Sequence, residues 1–307
     1  MARPDLSWDH WQSFLAVVEQ GSLSGAARRL GLTQPTLGRH IAALEQGLGA
    51  ALFLRAPSGL MPTDLARRLV PEARAMAAAA GALQRRASGE AGAEEGVVRL
   101  AASEMVGVEV LPPMLARFRA AHPGIAIELV LSNRNEDLLR HEADLALRMA
   151  RPVQGALVAR KLADVQFGLY ARADFLQAAG MPQDLDGAIA RGLIGPEDPR
   201  ILAAVRLGGR ALRPEDLALR SDDDVAQLAL VRAGAGIGLC QQAIAARDPR
   251  LVPVLPGLLE LRLPAHMVMH EDLRASRRVR LLFDHLAREA SAFWSQARSS
   301  LGEPITT

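Results

Sequence analysis

The sequence predicts an α+β multidomain fold, in which a helical N-terminal region and one long helix precede a larger α/β region. Apolar residues recur at helical spacing through roughly the first fifty residues, and a near-heptad pattern follows. From Gly96 onward, short apolar runs with strand character alternate with helical segments. A chain of 307 residues is long enough for two or three domains.

Two short helices are predicted before residue 31. The apolar stripe of the first has helical spacing and consists of Trp11, Phe14, Leu15 and Val18. The second should span residues 22–30, because Ser22 can cap its start and Gly31 stands where it would end. Ala26 and Ala27 are small enough for two helices to cross closely, as in a helix-turn-helix unit.

A third helix is predicted from residue 33 onward, with two unlike faces. Thr33 can cap it, and Pro35 fits its first turn, where a missing N–H costs little. The apolar face, which must meet a core, carries Leu37, Ile41, Leu44 and Leu48. Small residues and hydrogen-bond donors make up or flank the opposite face: Gln34, Pro35, Thr36, Gly38, Arg39, Ala42 and Gln46.

That polar face suits close approach to DNA. A helix in the major groove needs short residues for contact and Gln or Arg to read base edges. Gly38 costs about 1 kcal/mol of helix propensity relative to Ala, which such an approach could justify. Ten arginines against six acids give residues 1–86 a charge of +4, although many proteins without a DNA role show as much. An ordinary amphipathic surface helix is the alternative interpretation of this segment.

A β-hairpin and a long helix are predicted next. Residues 52–62 form two short apolar runs around a Pro-Ser-Gly turn. Thr63 then caps a helix that runs from Asp64 to about Arg86, with a local kink expected at Pro71.

The apolar seam of this long helix needs a packing partner. Its members are spaced by three or four residues and comprise Leu65, Leu69, Ala73, Met76, Ala80 and Leu83. A second protomer or the C-terminal region of the same chain could cover it. Residues 88–95 read as a flexible, acidic linker.

The rest of the chain predicts a parallel α/β sheet. The expected strands are 97–102, 125–131, 143–149, 157–162, 165–171, 193–195, 217–219, 237–241 and 265–270. The expected helices are 111–121, 135–142, 174–179, 222–233 and about 276–297.

The N-terminal pattern resembles the amino-terminal signature of LysR-type transcriptional regulators. The matching positions run without a gap through Phe14, Val17, Gly21-Ser22-Leu23-Ser24, Ala26-Ala27, Leu30, Gln34-Pro35, Ile41, Leu44-Glu45, Leu48-Gly49, Leu52-Phe53, Arg55 and Thr63. The resemblance implies a winged helix-turn-helix, a long linker helix and a C-terminal effector domain of two α/β subdomains that is similar to periplasmic binding proteins.

The resemblance also implies boundaries, partners and DNA contacts. Residues 1–63 would be the DNA-binding domain, 64–95 the dimerisation helix and hinge, and 96–307 the effector domain. Its subdomain I would comprise about 96–162 and 266–300, and its subdomain II about 163–265. A homodimer, and further a tetramer, would bind a pseudo-palindromic promoter site. The implied DNA-binding residues are Ser22, Thr33, Gln34, Pro35, Thr36, Gly38, Arg39, His40 and, on the wing, Arg55. Gly38 departs from the Ser common in the family, so the cognate sequence can differ.

Ligands of open α/β sheets bind beyond the carboxyl ends of the strands. The effector-binding candidates there, with the start of the helix near residue 222, are Ser103, Glu104, Met105, Ser132, Asn133, Arg148, Asp223, Asp224 and Val225. Many effectors of the family are carboxylates, but the acids among these residues would repel one unless Arg148 supplies a counter-charge. A polar or amino-bearing effector is at least as plausible, and the acids could instead serve only to cap helices.

Enzyme and membrane functions find little support in the sequence. The glycines at 234–238 follow a helix and precede a strand, the reverse of a dinucleotide-binding loop. His266 and His270 have no obvious third ligand, so no metal or other cofactor is expected. Cys240, the only cysteine, is interpreted as a buried inert thiol rather than a redox sensor. Without an apolar span or an export signal, the protein is expected to be cytoplasmic. The competing interpretation is a small-molecule (solute) binding protein with no DNA role.

Overall fold

The computed structural model describes residues 6–56, 59–87, 94–133, 143–150 and 157–300, which form two compact units, 6–87 and 94–300. The predicted helix at 135–142, most of the predicted linker and the Pro57-Ser58 turn lie outside the described residues. No described helix is both long and apolar enough to cross a membrane.

The N-terminal unit contains four helices and one antiparallel hairpin in its described part. They are α1 (Trp8–Gln20), α2 (Leu23–Leu30), α3 (Gln34–Leu48), β1 (Phe53–Ala56), β2 (Gly59–Pro62) and α4 (Asp64–Ala87). Each of these elements was predicted, within a few residues, from capping residues and apolar spacing.

The caps form as the residue types require. The Ser22 hydroxyl accepts a hydrogen bond from the Gly25 amide at 3.1 Å, and the Thr33 hydroxyl accepts one from the Thr36 amide at 3.3 Å. Glycines with left-handed backbones end the first three helices: Gly21, Gly31 and Gly49.

The core of this unit lies between α1, α2 and α3. Phe14, Leu37 and Leu44 are fully buried in it, so most of the predicted stripe on α3 is confirmed. Leu48 is the exception, because it is 36% exposed in the last turn of the helix, beyond the reach of the core. The apolar seam therefore ends at Leu44.

Glu45 joins α3 to the hairpin. One of its carboxylate oxygens accepts hydrogen bonds from the Leu52 amide at 2.8 Å and from the Phe53 amide at 3.3 Å. The second strand is held by the Leu60 amide, which donates to the Gly21 carbonyl at 2.7 Å. Gly59 makes this approach possible, since a Cβ there would lie 2.5 Å from that same carbonyl oxygen.

The predicted seam of α4 divides into two parts. Leu65 and Leu69 are half-buried and Ala73 is buried, and all three pack against the core of their own N-terminal unit. That partner was not anticipated from the sequence. Further along the helix, Met76 is 42% and Leu83 is 67% exposed. The helix continues through Pro71, and the kink expected there remains a prediction.

The C-terminal unit is a mixed α/β structure. Its strands are β3 (Gly96–Ala102), β4 (Ile125–Leu131), β5 (Leu145–Arg148), β6 (Leu157–Arg172), β7 (Leu193–Gly195), β8 (Arg206–Leu207), β9 (Arg210–Ala211), β10 (Leu217–Arg220), β11 (Ile237–Gln241), β12 (Leu251–Val254) and β13 (Arg262–His270). Its helices are α5 (Glu104–Glu109), α6 (Leu111–Ala121), α7 (Ala173–Ala179), α8 (Leu185–Arg191), α9 (Pro199–Ala204), α10 (Asp224–Ala233), α11 (Gln242–Ala245) and α12 (Arg277–Ser300).

Two long antiparallel strands connect the halves of the main sheet, whose order is β10-β7-β11-β6-β13-β5-β3-β4 with β12 beside β6. The first half is β4, β3 and β5 with the adjacent part of β13. The second half is β11, β7, β10 and β12 with the C-terminal part of β6. The helix α12 returns to the first half, where His285 packs on Phe118 with ring centroids 5.3 Å apart.

The sequence prediction was wrong at several points of this unit. The main sheet is mixed rather than parallel, because β6 pairs antiparallel with β11, β12 and β13. The runs 157–162 and 165–171 form one strand, because Ala163 and Asp164 also pair with β13, although the register shifts between Ala163 and Lys161. The helix expected from residue 222 begins at Asp224, after the cap residue Asp223. Elements too short for a periodic pattern were missed: α5, α8, α9, α11, β8, β9 and β12.

Replacing Glu45 with Ala should destabilise the N-terminal unit by about 1–2 kcal/mol, because two hairpin amides lose their acceptor. Hydrogen exchange should show faster exchange at Leu52 and Phe53. The matched control is Gln46→Ala, which changes an exposed neighbour on the same helix. Equal protection of these amides in both variants would contradict the proposed anchor.

Candidate nucleic-acid interface and ligand cleft

One face of α3 is solvent-exposed along the length of the helix and carries most of its polar residues near the N-terminus. Gln34, Pro35, Arg39, Ala42 and Gln46 are exposed, as the helical spacing predicted. Because Leu37, Ile41 and Leu44 bury the opposite face, the exposed residues are held on a rigid element. Such a face can contact the edges of base pairs.

A chain of hydrogen bonds orders the start of this face. The hydroxyls of Thr33 and Thr36 lie 2.9 Å apart, and the Arg39 guanidinium donates to the Thr36 hydroxyl at 3.4 Å. Arg39 is therefore partly positioned before any partner binds, which reduces the entropy lost on contact. The structure brings together these three predicted residues along one edge of α3.

Two other predicted DNA-binding residues, His40 and Ser22, have roles inside the unit, and a third, Gly38, does not. His40 is half-buried, and its Nδ1 lies 2.8 Å from the hydroxyl of the buried Ser13, so it does not share the exposed face. Ser22 caps α2 and is half-buried. A Cβ at Gly38 would lie 4.0 Å from Leu23, an ordinary contact, so packing within the unit does not require glycine there.

Arginines outside α3 extend the exposed cationic surface of the unit. Arg55 is exposed on β1, as expected for the wing. Arg28 and Arg29 are exposed in the last turn of α2 and were not among the predicted contacts, although Arg29 is ion-paired with Glu19. Two adjacent arginines just before Gly31, where α2 was predicted to end, are the sequence pattern that indicates these exposed cations.

The C-terminal unit contains a cleft of about 500 Å³ between the two halves of its sheet. Pockets that bind small molecules commonly have volumes of this order. Five of the predicted effector-binding residues line it: Ser103, Met105, Asn133, Arg148 and Asp224. Four others do not line it: Glu104, Ser132, Asp223 and Val225.

Three carboxylates meet where α5 and α10 begin. Oxygen atoms of Glu104, Asp223 and Asp224 lie within 4.8 Å of one another. Asn133 connects the two helices, since its amide nitrogen lies 3.2 Å from Glu104 and 3.4 Å from Asp224. Burial is the main cause of the raised pKa of Glu104, and the negative charges of Asp224 and Asp223 raise this pKa further. Burial is also the main cause of the raised pKa of Asp224.

Two of the predicted residues have clear structural roles beside the cleft. The Asp223 carboxylate caps α10 by accepting from the Ala226 amide at 2.9 Å, the helix-capping alternative for this acid. Arg148 is only 4% exposed and donates to the Ser132 carbonyl, so Ser132 contacts a cleft residue without lining the cleft itself.

The C-terminal ends of α5 and α10 are joined by an ion pair. Arg232 contacts both carboxylate oxygens of Glu109, at 2.6 and 2.8 Å, and both side chains are partly buried. Arg247 also donates to the Glu109 carbonyl at 2.9 Å. These contacts bridge the two halves of the sheet, and the sequence offered no pattern that would have identified them.

Polar lining residues that were missed lie mostly at the end of β11 and on α10. They include Gln227, Cys240 and Gln241. Cys240 is buried, and burial raises the pKa of its thiol to about 12, as expected for an inert group. Gln241 accepts a hydrogen bond from the Trp294 indole at 3.2 Å. The rule that ligands bind at carboxyl ends of strands could have found β11 as well.

Both regions match known protein families. Residues 8–67 match the model of bacterial regulatory helix-turn-helix proteins of the lysR family, and residues 91–291 match the LysR substrate binding domain. The chain belongs to the LysR family. This LysR-type transcriptional regulator thus combines a helix-turn-helix DNA-binding domain with a substrate-binding domain. The predicted family and fold class are confirmed, and the solute-receptor alternative no longer fits.

Relatives of this LysR-family chain include both activators and repressors. An HTH-type transcriptional repressor of Pseudomonas aeruginosa is 28% identical over 281 residues, which cover 87% of each chain. The HTH-type transcriptional activator AmpR of Rhodobacter capsulatus is 35% identical over 148 residues, 48% of this chain and 50% of AmpR. A regulator of Xanthomonas campestris is 34% identical over 55% of this chain and 49% of its own length. The chain thus spans about half the length of the last two relatives.

Solved structures of LysR regulators share the fold. CrgA of Neisseria meningitidis is 24% identical with a TM-score of 0.58, covering 92% of this chain and 98% of CrgA. AphB of Vibrio cholerae is 22% identical with a TM-score of 0.61, covering 91% and 98%. At these identities the likeness shows the fold alone.

Replacing Glu104 with Gln should stabilise the C-terminal unit by roughly 0.5 kcal/mol at pH 7, because one of three mutually repelling carboxylates is removed. The raised pKa means that the folded state binds this proton more tightly than the unfolded state does. The destabilising free energy that the variant removes is therefore present in full above the raised pKa of Glu104. It is absent below the ordinary glutamate pKa of 4.5.

Denaturant unfolding at several pH values, followed by tryptophan fluorescence, would measure this gain. The control is Glu260→Gln, which neutralises an exposed glutamate outside the cluster. A gain that does not shrink with falling pH, or one that the control reproduces, would speak against repulsion within the cluster.

Proposed function

We propose that this LysR-type regulator binds a pseudo-palindromic promoter site as a homodimer, and further as a tetramer, with α3 in the major groove and the hairpin as its wing. The observation that carries the proposal is the exposed face of α3, where Arg39 is held by Thr36 and Gln34 is also exposed. Among proteins of the same fold, full-length CbnR has been solved in complex with its target DNA.

The second half of α4 supports dimerisation. Met76 and Leu83 are exposed there at the spacing of a helical seam, while the first half of the same seam packs on its own unit. An apolar stripe of this kind is best buried against a second copy of the helix. We further propose domain boundaries at 1–63, 64–95 and 96–307.

A small-molecule effector bound in the cleft would alter promoter binding. The cleft lies between two halves of one sheet, so a ligand that prefers one cleft geometry shifts the assembly toward the state with that geometry. The chain would act by binding alone, without a catalytic step. Because its target is DNA, it would work in the cytoplasm.

Fluorescence anisotropy with the DNA upstream of this protein's own gene tests the proposal. The native duplex should bind more tightly than a shuffled duplex of equal length, and binding should weaken as salt rises, because phosphate contacts release counterions. Failure to bind either duplex at low salt would count heavily against the proposal.

Arg39→Ala should weaken binding to the cognate duplex by about 1–3 kcal/mol and relax its sequence preference, because a base-reading side chain is lost. The control is Arg274→Ala, which removes one exposed positive charge from the C-terminal unit. Unchanged affinity and preference in Arg39→Ala, or an equal loss in the control, would remove Arg39 from the reading face.

Arg148→Gln should change the response to effector while leaving DNA binding without effector intact, because Arg148 lines the cleft and holds the Ser132 carbonyl. The same anisotropy assay, run against a metabolite panel, measures both quantities. Arg160→Gln, an exposed position on β6, is the control. Loss of folding or an unaltered response would refute the assignment.

A further inference from the structure

The cleft is asymmetric in its chemistry. The part of its wall formed by β7, α9, β8 and the residue after β9 is apolar, and we refer to it as the apolar chamber. Its lining residues are Leu193, Ile201, Leu202, Val205, Leu207 and Leu212. Every polar residue that lines the cleft comes, within the described part of the chain, from other elements.

The chamber wall is also the core of the second half of the sheet. Leu193, Leu202 and Leu207 are each at most 2% exposed and belong to the apolar cluster that stabilises this half. Val205 and Leu212 pack against the same cluster. A water molecule in the chamber would therefore find few of the two to four polar partners that an ordered buried water needs.

Several polar groups around the cleft already have partners within the protein. Asp222 accepts hydrogen bonds from the Glu197 and Asp198 amides, both at 2.8 Å. Gln241 accepts from Trp294, and Asn133 contacts Asp224. These groups can orient a ligand, but the free energy of binding in the chamber must come from apolar contact.

We infer that the effector carries an uncharged, apolar body, such as an aromatic ring or a branched hydrocarbon, that enters the apolar chamber. A charged group placed there would lose its hydration without gaining a partner from the wall. This inference rests on the proposed function, because it specifies the ligand class of the proposed effector cleft. A polar end of the same ligand would contact the lining residues outside the apolar chamber.

The first test fills the chamber. Ala204 is exposed at the end of α9 and lines the cleft, whereas its neighbour Ala203 is exposed and does not. The uncharged dye N-phenyl-1-naphthylamine should bind the unchanged full-length protein at one site per chain, with a rise in fluorescence. Ala204→Phe should weaken this binding roughly tenfold or more, because the ring occupies the chamber, and Ala203→Phe should not.

The second test changes polarity without changing shape. Val205→Thr places a hydroxyl in the chamber wall and should weaken dye binding roughly fivefold or more. Val252→Thr makes the same change at a half-buried valine that packs on the same apolar cluster but does not line the cleft, and should leave binding unaltered. Uncharged indole should displace the dye from the unchanged protein, and malonate should not.

The inference is overturned if the chamber variant and its control lose dye binding equally, or if neither loses it. Displacement of the dye by malonate but not by indole would also overturn it. Absence of dye binding by the unchanged protein also overturns it. DNA anisotropy of the same variants separates the two proposals. If promoter binding is normal but the variants do not differ in dye binding as expected, only the inference about an apolar effector is refuted. If the variants differ in dye binding as expected but the protein binds no DNA, only the proposed function is refuted.

Discussion

The pairing of β6 with β13 is the constraint on which the C-terminal unit depends. The two strands pair from Leu157 opposite His270 to Gln166 opposite Arg262, and β6 then continues into the second half of the sheet. Because both halves are built on the same two strands, the cleft between them has a fixed floor. Ligand chemistry can then be set by the residues on either side without altering the connection.

Local signals explain why the N-terminal unit could be predicted almost completely. Ser22, Thr33 and the glycines at helix ends act within one turn of the chain, so their effect is readable from the sequence. Helical spacing wrongly predicted that Leu48 is buried, because spacing alone does not show how far along the helix the core extends. It also missed the packing of α4 on its own unit, a contact between residues far apart in sequence.

The candidate sites were predictable to different degrees for the same reason. On α3 the exposed face follows from helical period alone, although His40 turned inward to Ser13. In the cleft, strand ends correctly placed Ser103, Asn133 and Arg148. The apolar chamber depends on α9 and β8, elements of six and two residues that carry no periodic pattern, and on their packing against β7. The sequence therefore indicated a cleft but could not indicate that part of its wall is apolar.

The helices α5 and α10 run side by side in the same direction, with like charges at their first residues and the Glu109–Arg232 pair at their last. Attraction at one end and repulsion at the other make the electrostatic energy of the contact between the two halves differ along its length. Dissolved ions weaken forces between exposed charges more than forces between partly buried ones. Ionic strength should therefore change the interaction energy at the two ends of this contact by different amounts.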